Sequence, residues 1–573
     1  MPSNMQLEKT SVLVVGGGPA GLLASIFLSR LNIDHVLIEQ RTGPQPAPAA
    51  HVINTRTMEI LRSADIDTEN FYALNKHADA QFVSWVKDPR SKALGRLSFA
   101  GDAEHIAQRL AASPEHITNI SQNLFETALR DEGTKQTEGK IRYGHTWETF
   151  IDGDTHHARV LDENHNAYEV EADYILAADG AASGIARSLG IGKTGPASLA
   201  TFLNLSCEID LTEIVEEKHS LLYWCLSPQT PGILIVHDPK RLTVYMRPIF
   251  EPYETIKDYD DARCEALLSE IFGPQTPVKV TFKSIWKMAA QVADQFSVDN
   301  VFLIGDSAHR FPPTGGLGLN SGAGDVHNLV WKLAATLKHQ APADLLASYE
   351  LERKPVAQRN CDTSANNFHK MTEVTDVLGL DASKAHIPAR LRSSALFRFL
   401  PNSVADALLK LLTWPIVRKV EAAYAKNADG QATRARVQMA IDNQIEHFDM
   451  LGAELGYVYR DGCAVDPAAR KTRDNTVRDY TPDAAAGARL PHVAFEKDGE
   501  AMTTLDVISY DRYTLFTNGP ATDTLDTSAT FGLPCHAFDI QKTDNVQALV
   551  TALNLPAGCW ILVRPDGHVA ARS

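Results

Sequence analysis

The sequence predicts an α/β protein whose first domain is built on a parallel sheet, and three observations carry that expectation. The β-branched run Ser11–Val15 passes directly into Gly16-Gly17-Gly18-Pro19-Ala20-Gly21 and then into a segment with Leu23, Phe27 and Leu31 at helical spacing. A second apolar run, His35–Ile38, ends on Glu39, 18 residues after Gly21. A third, Val301–Ile304, again enters a glycine-rich loop followed by a helix-period stripe at Val326, Leu329, Val330, Leu333 and Leu337. Strand, glycine turn and helix in that order is the pattern of a βαβ unit.

The first turn has the spacing of a dinucleotide cradle. Gly16, Gly18 and Gly21 occupy the G-x-G-x-x-G positions, where absent side chains permit a tight turn, close backbone approach to a pyrophosphate and contact between helix and strand. Pro19 and Ala20 open the helix, whose free N–H groups then face the phosphates. Glu39 is placed to accept hydrogen bonds from a ribose 2′-hydroxyl and would repel a 2′-phosphate, so the site prefers FAD or NAD to NADP. The alternative for Glu39 is a solvated charge at a strand end. The late loop, Gly305-Asp306-Ser307-Ala308-His309 through Thr314-Gly315-Gly316-Leu317-Gly318-Leu319-Asn320, precedes another helix N-terminus and suits an anionic or electron-rich ligand.

Composition narrows the function classes. The 573 residues carry 55 Lys+Arg against 71 Asp+Glu, a formal charge of −16, which argues against a nucleic-acid surface. With 44% hydrophobic and 22% charged residues the chain reads as globular rather than disordered. Seven cysteines (207, 225, 264, 361, 463, 535 and 559) include no C-x-x-C pair, which fits reduced thiols in a cytoplasmic protein better than disulfides or zinc. No metal-ligand spacing is present. The apolar stretch Ser11–Leu31 is broken by glycines and proline, so neither a leader nor a spanning helix is expected, and no membrane partner.

The string V-F-L-I-G-D-S-A-H-R-F-P-P-T-G-G-L-G-L-N resembles the second FAD motif of single-component flavin aromatic hydroxylases, the class of 4-hydroxybenzoate and phenol hydroxylases. The resemblance implies noncovalent FAD, with Asp306 on the ribityl chain, Gly316, Gly318, Leu319 and Asn320 beside the isoalloxazine ring and Pro313 near its oxygen-reacting face. Tyr174–Ala178 followed by Asp179 and Gly180 is similar to the segment that serves both FAD and the pyridine nucleotide. The family's usual arginine three residues after the serine is Ala186 here, with Arg187 following. The segment Ala50–Glu59 resembles hydroxylases of 2-hydroxybiphenyl and chlorinated phenols, in which the histidine, here His51, contacts the substrate hydroxyl. Gln122 matches a flavin-contacting glutamine, Asn119 stands where that subgroup often has aspartate, and Arg247 matches an arginine linked to nicotinamide cofactor use. Gly487–His492 and Val563–Gly567 resemble the bounds of the family's C-terminal thioredoxin-like domain.

These readings predict a discontinuous Rossmann-like FAD domain (1–190 and 286–340), a substrate domain with a β-sheet (191–285), a helical region (341–450) and a thioredoxin-like C-terminal domain (451–573) without redox cysteines, placed to support a homodimer. The resemblance implies that NADH or NADPH reduces the flavin, that O₂ is captured as a flavin hydroperoxide, and that its terminal oxygen adds to a phenolic ring. A free phenol has a pKa near 10, as tyrosine does, so a base at its hydroxyl raises the reactive phenolate fraction. His51 is the candidate, the alternative being a histidine that only braces backbone. A flavin dehydrogenase or reductase, or a ring-oxidising tailoring enzyme of natural-product assembly, is the competing reading. A nucleotide-binding regulator without turnover is a third.

Overall fold

The computed structural model describes residues 7–573 apart from 79, 100–102, 137–139, 216–219, 382–383, 395–396, 398, 463–464, 467–474 and 521–529. Cys463 lies outside the described residues.

The N-terminal strand Leu7–Val15 is the centre of an eight-stranded sheet. It pairs in parallel with His35–Glu39 on one side and Ala167–Ala177 on the other, and the latter pairs in parallel with Val301–Leu303. Val12, Leu13 and Val14 are wholly buried, as expected of a strand covered on both faces. The covering helices are Pro19–Arg30 and Leu317–His339, which pack on each other. Because the four strands run the same way, Gly16, Glu39, Asp179 and Gly305 all emerge at one edge of the sheet, where ligands bind in open α/β folds.

The second sheet has seven strands in the order Lys279–Met288, Ala200–Glu208, Leu242–Ile249, Gly232–Asp238, Leu222–Cys225, Phe82–Val86 and Gly95–Ser98. The last two come from the stretch 1–190, and Lys279–Met288 runs past 285, so the sheet domain is itself discontinuous and wider than 191–285. The physical reason is tertiary. Phe82–Val86 pairs in parallel with Leu222–Cys225, and no turn in the sequence joins those strands. One face, with Leu203, Leu205 and Tyr245, packs on the helix Asp261–Phe272, and the other presents Phe202, Ile235, Val244 and Met246.

The helical region contains Ala343–Lys370, Asn402–Ala423 and Ala428–Asp442. At the C-terminal end, Tyr513–Thr517 pairs in parallel with Cys535–Asp539 and antiparallel with Trp560–Val563, which pairs with Val569–Arg572. The helix Val546–Leu553 closes this small core through Leu549 and Leu553. Cys535 is exposed, Cys559 is half-buried, and both are free. Replacing both by serine should leave flavin content and melting temperature unchanged. A loss of either in the double variant would assign these thiols a role.

Candidate active site

The glycine turn is made by sterics that its sequence specifies. Gly16 sits at φ +112°, and a Cβ there would overlap the Ala178 carbonyl, while one on Gly21 would overlap the Gly16 carbonyl. Gly18 faces open space. Gly16, Gly18, Pro19 and Ala20 are half-exposed in an otherwise buried strand-turn-helix, so the turn is the accessible floor of a cleft. Gly21→Ala should therefore abolish FAD retention, read as the flavin absorbance per mole of purified protein. Full flavin content in that variant would remove the steric argument.

Glu39 accepts from the Gly17 N–H at 2.6 Å and from the Arg41 N–H and Nε at 2.8 and 3.0 Å. It braces the turn from below, and Arg41 Nη2 adds a fourth contact at 3.3 Å, so each carboxylate oxygen accepts two hydrogen bonds within the chain. Across the cleft, Gly305 is at φ +62° and packs on Ala20 and Gly322, which carries Asp306 over the first helix. Asp306 is accessible through the cleft yet ringed by protein, and that desolvation raises its pKa despite His309, Arg310 and Lys193 nearby. Asp179 accepts from the Ile185 N–H with one oxygen, and its other oxygen is buried with no hydrogen-bond partner among the described residues. Gly180, at φ +80°, also borders the cleft. An orphaned acceptor, a glycine floor and two helix N-termini are what an FAD pyrophosphate, ribose and ribityl chain require.

The loop beyond Asp306 is fixed from behind. Asp325 accepts from the Gly305 N–H (3.1 Å), the His309 ring (2.7 Å) and Arg353 (2.9 Å). Pro313 is exposed, and its carbonyl accepts the Gly316 N–H at 3.0 Å. Gly316, at φ +63°, lies so near Val52 that a Cβ would come within 2.6 Å of it. Gly318 and Leu319 are half-exposed in the first turn of the helix Leu317–His339.

His51 lies in a short extended segment held against residues 118–122. Its carbonyl accepts the Ile120 N–H at 2.8 Å, and the flanking Ala50 donates to the Gln122 side chain at 3.1 Å. The His51 Nδ1–H donates to Asn119 Oδ1 at 3.1 Å, which leaves Nε2 as the unprotonated nitrogen. Burial lowers the His51 pKa, and the Asn119 hydrogen bond offsets this only in part, so the imidazole is neutral at physiological pH. His237, on the strand Gly232–Asp238, meets it edge to face with centroids 5.6 Å apart. Its Nε2 is buried without a hydrogen-bond partner among the described residues, and burial, with His51 next, pulls its pKa well down. His237 sits at an irregularity in the strand register, two residues beyond Ile235 of the apolar sheet face.

Three residues assigned by resemblance are also hydrogen-bonded within the chain. Asn320 is buried and fully engaged, accepting from Asn54 N–H (3.0 Å) and Thr57 Oγ1 (2.7 Å) and donating to the Val52 and Gly316 carbonyls (2.9 and 2.6 Å). It clamps the His51 segment to the glycine loop. Gln122 spends its amide on Ala50 and on Glu126 (2.8 Å). Arg247 lies on the helix-covered face of the sheet, donating to the Tyr259 hydroxyl at 3.0 Å and the Gln229 carbonyl at 3.2 Å. The alternation of side chains along a strand is the cause, since Arg247 follows Tyr245 on the helix-covered face. Sequence reasoning missed His237, Asp325 and Arg41. Only Arg41 had a signal, a cation two residues beyond the ribose carboxylate.

The family described as FAD binding domain matches residues 9–364, and that described as aromatic-ring hydroxylase, C-terminal, matches 483–573. The chain is 28% identical to 2,4-dichlorophenol 6-monooxygenase of Cupriavidus pinatubonensis, over 99% of this chain and 93% of that one. It is also 28% identical to tetracenomycin B2 monooxygenase-dioxygenase of Streptomyces olivaceus, over 98% and 95%. The flavin-dependent monooxygenase PieE, solved with FAD and substrate, superposes with a TM-score of 0.84 at 26% identity, covering 99% and 96%. The chain belongs to the FAD binding domain family, in the class of FAD-dependent aromatic hydroxylases. It is a flavoprotein monooxygenase.

Proposed function

We propose that the substrate is a phenol and that His51 is the base that takes its proton, with NADH or NADPH as reductant and O₂ as oxidant. The observation that carries this reading is the His51–Asn119 hydrogen bond. It fixes the tautomer whose Nε2 can accept, in a neutral ring that meets His237 edge to face. A relative named for a dichlorophenol supports the substrate class. Bound FAD supplies the reduction and oxygen-activation chemistry. Gly18 and the first helix N-terminus would hold its pyrophosphate, Glu39 its ribose, and Asp179 and Asp306 its ribityl side.

The chain's own contribution is to orient and deprotonate. The apolar face with Phe202, Ile235 and Met246 excludes water, which limits wasteful loss of reduced oxygen. His51 Nε2 receives the phenolic proton, and Asn119 holds the ring. Asn119 carries no charge, so it cannot neutralise the imidazolium that forms, and the proton is shed readily once the ring has reacted. The test is oxygen uptake and NAD(P)H oxidation by the yellow protein across a phenol panel, with products identified by mass. A phenol that gains one oxygen atom and stimulates NAD(P)H oxidation supports the reading. Flavin reduction with no oxygenated product from any phenol would favour a dehydrogenase or reductase.

A further inference from the structure

We propose that the outer face of the helical region is a docking surface for an anionic lipid bilayer. Of the fifteen exposed large apolar side chains among the described residues, eight fall between positions 387 and 416. Scattered singly such residues need no explanation, but concentrated ones mark a contact surface. Phe399 is 89% exposed, Leu411 68%, Leu412 53% and Trp414 52%.

The helix Asn402–Ala423 shows why these residues are outside. Ala405, Thr413 and Val420 are buried, and Val420 and Ala423 pack with Val83 and Trp85 of the seven-stranded sheet. Val404, Leu408, Leu411 and Leu412 recur at spacings of three and four, which places them together on the opposite face. The helix is therefore apolar toward the protein and apolar toward the outside. Its outward arc turns basic at the end, where Arg418 lies over the Trp414 ring at 4.9 Å and is followed by Lys419.

Charge selects the occupant. Residues 384–423 contain seven Lys/Arg against Asp406 and Glu421, a net of +5 within a chain of −16, although Lys384 is paired with Asp381 and Lys410 with Glu270. A second copy brought face to face would oppose one basic patch with another, whereas a negatively charged bilayer matches the basic residues and takes the leucines and tryptophan into its interface. No described helix is long and apolar enough to cross a membrane. A helix lying on the surface does not need to be, which is why reading the sequence for spanning segments gives no membrane partner. The buried side of this region rests on the sheet that carries His237, and Phe368 from the preceding helix joins the apolar wall, so an aromatic dissolved in lipid would meet the protein beside its site.

The test uses the FAD-loaded full chain and two kinds of vesicle, phosphatidylcholine alone and an equal mixture of phosphatidylcholine and phosphatidylglycerol, in flotation at low and high salt. Binding to the mixed vesicles, weak binding to the neutral ones and loss at high salt are expected. Leu411→Glu with Trp414→Ser, and separately Arg418→Glu with Lys419→Glu, should each weaken binding by about tenfold or more. These side chains are at the surface, and unchanged flavin absorbance and melting temperature would establish that each variant is folded. Absence of binding to the mixed vesicles at low salt would overturn the proposal, as would undiminished binding by both variants. A parent dimer that Leu411→Glu converts to monomer, with no vesicle binding by the parent, would overturn it in favour of a second copy. Vesicle binding is read without turnover, so its outcome is independent of the substrate reading.

Discussion

Replacing His51 with alanine should leave FAD bound and NAD(P)H oxidation largely intact while hydroxylated product falls by about 10²–10⁴-fold, the usual worth of a positioned base. FAD stays because Gly18, Glu39, Asp179 and Asp306, the residues proposed to hold it, lie on other elements. Reducing equivalents would instead leave as hydrogen peroxide, so the ratio of product to NAD(P)H consumed is the sensitive measure. The pH dependence has a definite sign. Burial lowers the His51 pKa, so the parent enzyme holds its base form at neutral pH and loses it only as pH falls through that depressed value. In the alanine variant the phenol must ionise unaided, and raising pH toward about 10 should restore product. Parental yield and pH profile in the variant would place the base elsewhere.

Glu352→Gln should cost about 3–5 kcal/mol of stability, the effect of breaking a buried ion pair and stranding its partner. Glu352 accepts both Arg564 amino groups at 2.8 Å and Lys332 Nζ at 2.8 Å, and all three side chains are wholly buried. Burial alone would raise the Glu352 pKa, but Arg564 and then Lys332 outweigh it, and the carboxylate is held ionised. Lys332, left the smaller share of that one carboxylate, is drawn down by burial to about 8. A carboxylate with a depressed pKa contributes stability that is complete above the ordinary glutamate range and is lost as pH falls through the depressed value. The parent should therefore resist acid further than the variant. Urea midpoints of the FAD-loaded proteins measure the loss, and a change under about 1 kcal/mol would show the network relaxing around the substitution. Arg564→Met combined with Glu352→Gln should cost less than the two singles added together, since each removes the same contact.

What could be read from the sequence was what local chemistry enforces. The glycine turn, the carboxylate ending the second strand and the loop at Asp306 follow from sterics and spacing within a few residues, and the resemblance tied them to one cofactor. Phe82–Val86 joins the second sheet without a local signal because its partner is distant in the chain and parallel to it. His237 was equally silent, since a histidine in a strand looks the same whether it faces a substrate or a core. Nothing in the sequence marks Arg56, Glu59, Arg489, Arg564 and Asp566 as enclosed, yet they are buried against one another where the C-terminal domain meets the FAD domain. Charge alone in a sequence does not reveal enclosure. For Asn320, Gln122 and Arg247 the positions matched a family pattern, but only coordinates show with which neighbours each side chain spends its hydrogen bonds.

The ion pair between Glu352 and Arg564 also sets an order on the making of the protein. Arg564 follows Glu352 by 212 residues, so at roughly 5–20 residues per second the ribosome releases it some tens of seconds later. Throughout that interval Glu352 has Lys332 to pair with but not the arginine that engages both of its oxygens. The nucleotide domain cannot complete that buried cluster until the last strands arrive, so the C-terminal hairpin is the final seal on a surface begun more than two hundred residues earlier.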